Sequence, residues 1–137
     1  MGIKSFTEIE AWQVARQLTR FVGEITTSWH FAHRGLADQM NRASVSVMAN
    51  IAEGFDAASD SDFGRYLVYS RQSASELQSH LCVAHDIGLI SKKQFESMTF
   101  TADRIKSMVI AFSRYLKGED KSGPGVGRRT SDGSYGH

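Results

Sequence analysis

Few side chains in this sequence are of the kind that do covalent or metal chemistry. The histidines are His30, His33, His80, His85 and the terminal His137, and the one cysteine is Cys82. A metal site built on helices draws ligands three or four positions apart, together with carboxylates. His30 and His33 fall where a loop is predicted, and His80 and His85 are five apart. No glutamate stands three residues before a histidine, and His85–Asp86 has no second half. No metal and no cofactor are expected. Cys82 lies beside an apolar seam and reads as a packed thiol. A single cysteine also excludes an intramolecular disulfide, which fits a reducing compartment. Ser70, Ser73, Ser75 and Ser79 lack the glycines of a nucleophile elbow and read as small residues that let helices approach. No clustered acid–base set is visible, so the chain is expected to be neither an enzyme nor a binder of a small-molecule substrate.

Binding chemistry is better represented. Arg42, Ser46, Asn50 and Glu53 fall on one narrow sector of a helix that is otherwise apolar. Buried polar groups must be paired, so this seam reads as a structural network, with Glu76 of the next helix offered to Arg42. The alternative is a ligand or RNA contact patch. The cations Arg16 and Arg20 share a helix face, and Lys92 and Lys93 are adjacent. These four are the nucleic-acid candidates. Arg65, Arg71, Arg104, Lys106, Arg114 and Lys117 are interspersed with Glu24, Asp62, Glu96 and Asp103. The formal net charge is only +1, which by itself demands no polyanionic partner. Several copies brought together would concentrate what one copy dilutes.

These residues need elements to hold them. The 137 residues suit one domain with its own core, and the only proline is Pro124. That favours helix throughout. A capping box at Thr7 and Glu10 opens helix 1, with the stripe Trp12, Ala15, Leu18, Val22, Ile25, Trp29 and an end near 28–30. Helix 2 spans about Leu36 to Phe55, with Met40, Ala43, Val47, Ile51 and Phe55 on one line. It is apolar round most of its circumference and should be the central helix. Ser59 caps helix 3, whose seam Phe63, Leu67, Ser70, Ala74, Leu77, Leu81, Ala84 steps by four and three without a miss. Gly88 ends it. Ser91 and Gln94 box the start of helix 4, with the seam Phe95, Met98, Ala102, Ile105, Val109, Phe112, Leu116. Four helices and short loops predict an all-α, antiparallel up-down-up-down four-helix bundle over residues 1–117. Residues 118–137, with six glycines and almost nothing apolar, are expected to be a disordered tail. There is no signal-peptide run and no membrane-spanning stretch, so a cytoplasmic protein that does not engage membranes is expected.

Helix 4 carries a second apolar set, Phe100, Met108 and Tyr115 with Arg104 among them. Val14 and Phe21 on helix 1, and Val68, Tyr69 and Val83 on helix 3, also lie off the central stripes. Apolar positions at helical spacing on several outer faces suggest an interface between copies.

The stretch RASVSVMANIAEG (Arg42 to Gly54), followed by SRQSASELQSHL (Ser70 to Leu81) and IGLIS (Ile87 to Ser91), resembles a known family. So does the opening F-x-x-x-x-A-W-x-x-A from Phe6 to Ala15. The family is that of the four-helix bundle proteins encoded in intervening sequences of bacterial 23S rRNA genes. The accessory variability proteins of diversity-generating retroelements are related to it. The resemblance implies an antiparallel bundle, assembly as a homopentameric ring and no established enzymatic activity. The retroelement relatives engage nucleic acid and a reverse transcriptase, while the rRNA-associated members have no settled role; RNA or a nucleic-acid-associated protein is the partner expected on that basis. Ala57 and Ala58 stand where basic residues often follow the motif. The function expected is that of a non-enzymatic oligomeric bundle that binds RNA or an RNA-associated protein. The alternative is an assembly scaffold that binds no nucleic acid.

Overall fold

A computed structural model describes residues 2–119, 128–129 and 135–136. Four helices make the molecule: α1 (Glu10–Thr26), α2 (Arg34–Phe55), α3 (Asp60–Asp86) and α4 (Lys92–Leu116). Each packs on its neighbour in sequence, and α4 closes the bundle against α1. This is the predicted all-α bundle. Beyond it a two-residue strand, β1 (Arg128–Arg129), pairs antiparallel with β2 (Tyr135–Gly136). The disorder expected of the rest of the tail, residues 120–127, 130–134 and 137, lies outside the described residues.

The seams read from the sequence are the core. All seven predicted seam positions of α3, from Phe63 to Ala84, are buried, as are Met98, Ala102, Ile105, Val109 and Phe112 of α4. Met40, Ala43, Val47 and Ile51 of α2 join them, fully enclosed. The caps that end these helices are short and local. Ser59 Oγ accepts from the Asp62 amide at 3.1 Å. Ser91 and Gln94 exchange side-chain bonds at 3.1 and 2.9 Å. Gly88 turns the chain at a φ of +78°, a conformation that glycine adopts without steric cost.

The start and end of α1 differ from expectation. The capping pair is Ser5 and Glu8, not Thr7 and Glu10, and it opens a 3-10 turn at Phe6–Glu8. Ile9 is extended (φ −74°, ψ 122°) and almost wholly buried, so the chain breaks there to seat its side chain before α1 begins. The Glu8 carboxylate accepts from the amides of Lys4 and Ser5 at 2.7 and 2.8 Å. Those two bonds hold its pKa below the ordinary glutamate value. At the other end α1 stops at Thr26, so Trp29 leaves the predicted stripe and is 92% exposed. Phe31 fills the core at this end instead. The turn is pinned by Arg34, which donates to the carbonyls of Thr26 and Phe31.

Candidate anion-binding groove

Helices α3 and α4 are joined at their centre by long polar side chains. Gln78 Nε2 donates to the Thr99 carbonyl at 3.2 Å and to Asp103 Oδ1 at 2.8 Å, and Lys106 Nζ donates to Gln78 Oε1 at 3.1 Å. Toward the start of α3 and the end of α4 an open surface groove runs along the interface between the two helices, with two adjoining cavities of about 270 and 500 Å³. Val68, Ser113 and Lys117 line both. Leu67, Val109 and Ile110 form an apolar floor at one end and Leu116 at the other. Gly64 carries no side chain to fill the second cavity.

The rim is cationic. Arg71 from α3, Arg114 from the last turn of α4 and Lys117 just beyond it line the first cavity. None of the three has an ion-pair partner among the described residues. Arg65, at the far end, is held at 3.2 Å by Asp62 and lies over the Tyr66 ring. Two carboxylates share the groove, Asp60 and Glu119. Gly118, at a φ of +76°, turns the chain so that the Glu119 amide bonds back to the Arg114 carbonyl at 3.0 Å. With Arg65 neutralised by Asp62, three cations against two carboxylates leave a modestly positive cleft over a low-dielectric floor, an arrangement that strengthens attraction for an anion.

The sequence-derived candidates lie elsewhere. Arg16 lies over the Trp12 ring at 5.7 Å, so its guanidinium already has an aromatic partner. Lys92 pairs with Glu96 at 3.8 Å. Arg20 and Lys93 are exposed on α1 and α4, and neither lines the α3–α4 groove.

Half of the polar seam is a network. Asn50 Nδ2 donates to the carbonyl and hydroxyl of Ser46 at 2.8 and 3.1 Å, and Ser46 Oγ meets Ser73 Oγ at 2.9 Å. Ser70, fully buried, donates to the Val47 carbonyl at 2.8 Å. Arg42 and Glu53 are exposed, and Glu76 pairs with His80 at 3.3 Å rather than with Arg42. One helical turn separates Glu76 from His80, so the local partner wins over the one across the interface. Cys82 is exposed, one position off the buried Leu81, rather than packed. Of the outer set on α4, Phe100 is 70% exposed, Arg104 bridges to Glu10 of α1 at 3.1 Å, and Met108 and Tyr115 pack partly against the core.

Arg71, Arg114 and Lys117 are visible in the sequence only as three scattered cations. What joins them is the register of α3 against α4, in which Phe63 and Phe112 meet with ring centroids 4.9 Å apart and planes tilted by 56°. Seam spacing predicts that two helices pair but leaves their axial offset open. No helix among the described residues is long and apolar enough to cross a membrane.

A family model for the 23S rRNA-intervening sequence proteins matches residues 7–111. Among solved structures, the chain is similar to a protein of unknown function from the S23 ribosomal protein family of Bacteroides thetaiotaomicron. That likeness has a TM-score of 0.65 and 21% identity, and covers 77% of this chain and 95% of that one. At that identity it speaks to the fold. No curated protein matches.

Proposed function

The chain belongs to the 23S rRNA-intervening sequence protein family, and from that premise we propose that it is a non-enzymatic, cytoplasmic bundle that assembles with copies of itself and binds RNA. The observation that carries the RNA reading is the groove. Arg71, Arg114 and Lys117 line one cleft with no carboxylate paired to any of them among the described residues. Charge contact with phosphates needs no base reading and supplies most of non-specific nucleic-acid affinity. Assembly, as a pentamer in this reading, multiplies the contacts that one protomer of net charge +1 offers. The exposed Phe100, with Phe21 at 38% and Val83 at 44%, supplies apolar surface for such contacts.

The test is filter binding of structured RNA at about 50 and 200 mM salt, with a protein carrying Arg71→Gln and Arg114→Gln beside the wild type. Binding by the wild type should fall steeply with salt, and the variant should bind weakly at both concentrations. Equal binding by the two proteins would remove the groove from the proposal. Sedimentation of the wild type and of Phe100→Asp tests assembly separately: the first should run as an oligomer and the second as a smaller species.

The second reading is a protein-interaction scaffold. The near-neutral charge and the exposed apolar positions favour it, and absence of RNA binding at low salt would promote it.

A further inference from the structure

The groove has a second property that its charge does not explain. Between the cations of α3 and those of α4 lies a strip of apolar surface, Val68 and Ile110 at its centre, with Ser113 beside them. We infer that the groove takes unpaired RNA, laid along the α3–α4 cleft with phosphates on Arg71, Arg114 and Lys117 and sugar or base faces against Val68 and Ile110. This assignment rests on the RNA reading above and narrows it to a substrate class.

The argument is one of geometry and complementarity. The groove is a surface cleft whose two cavities hold about 270 and 500 Å³, space that an extended single strand can enter and that a wide, rigid duplex can only sit above. A duplex also turns its base faces inward and presents phosphates and 2′-hydroxyls on its outside. It would meet the rim cations and leave the apolar strip uncovered. A single strand offers both chemistries at once, an anionic backbone and apolar base faces, as other sequence-tolerant single-strand sites require. The cations come from both walls, so a strand between them is held from two sides. Gly64 keeps the lower half of the path open, since its position faces Ser113 and holds no side chain. Asp60 stands at the far end of the cleft and disfavours phosphate there, and Glu119, in the cavity with the three cations, offsets part of their charge.

The experiment compares an unstructured single strand with a blunt duplex of the same sequence, using the full chain across a salt series. The single strand should bind at least about tenfold more tightly than the duplex. The Arg71→Gln, Arg114→Gln double variant should lower the log–log salt slope by about 1.4, the value for two phosphate contacts on a single strand. Gly64→Leu, which plugs the cleft without touching its charge, should abolish the preference for single strands, with circular dichroism confirming the helices. Val68→Ser tests the floor independently and should weaken single-strand binding while leaving the salt slope unchanged. Equal affinity for strand and duplex would overturn this assignment while leaving the RNA reading standing. Absence of salt-sensitive binding to either would overturn both. Displacement of bound strand by an acidic helical peptide at lower concentration than by competitor RNA would also overturn it, by making the cleft a protein site.

Discussion

Helix α3 meets its two neighbours in opposite ways. Against α2 it closes down on small residues. A Cβ at Gly54 would lie 2.7 Å from Phe63 and 2.9 Å from the Tyr66 Cβ, so the backbones approach there as only glycine allows. Further along, Ser70 reaches the Val47 carbonyl and Ser46 touches Ser73. Against α4 the spacers are long: Gln78, Asp103 and Lys106 at the middle, and an open cleft beyond them. One face therefore serves stability, because dense packing leaves no room for a partner. The other is closed beneath, where Phe63 meets Phe112, and keeps a grooved outer surface that a partner can cover. In this bundle the size of the residues along a seam separates the closed interface from the one proposed to bind a partner.

Four substitutions test that division. Gly54→Ala should be the most damaging, since the methyl must displace Tyr66 backbone-proximal carbon rather than a flexible tip. A loss of about 1–3 kcal/mol in urea unfolding is expected for overpacking of this kind, and an unchanged midpoint would break the comparison at its tightest point. Ser70→Ala removes one buried hydroxyl bond and should cost about 1 kcal/mol, read as a lower thermal midpoint with helix content intact. Gln78→Ala should cost less than Ser70→Ala, roughly 0.5 kcal/mol, because its partners Asp103 and Lys106 sit at the water-accessible rim and can bond solvent instead. The reverse order would show that the α3–α4 contact, not the α2–α3 one, holds the bundle. Glu8→Gln sharpens the picture at the N-terminal edge. The folded carboxylate pKa lies below its unfolded value, so its contribution is complete above the unfolded value and is lost as pH falls through the folded one. The variant should match wild type at the acid end of a pH series and fall slightly below it near neutrality.

Much of this was legible in the chain. The seam of α3 is buried at every predicted position, and the Ser59 and Ser91 caps form as read, because periodicity and capping are local and each residue states its own role. Gly54 appears in the sequence only as the end of a family motif, but its role is set by Phe63 and Tyr66, nine and twelve residues away on another helix. The Arg42–Glu76 pairing failed for a related reason: a partner one turn away on the same helix, His80, was available at no cost in register. The groove is the part least open to sequence reasoning. Arg71 and Arg114 are 43 positions apart, and only the axial offset of two antiparallel helices puts them on one cleft. Trp29 misled because its spacing from Ile25 continues the stripe, whereas α1 had already ended at Thr26.

The two tryptophans turn that last displacement to use. Trp12 is buried at 8% exposure against Phe6, and Trp29 stands almost wholly in water. Their emission spectra are therefore distinct, and an aqueous quencher reaches one indole and not the other. The quencher-shielded signal reports on the integrity of the bundle, while the accessible signal reports on anything that covers the α1–α2 turn. A single unlabelled sample thus carries one optical probe for unfolding and another for association.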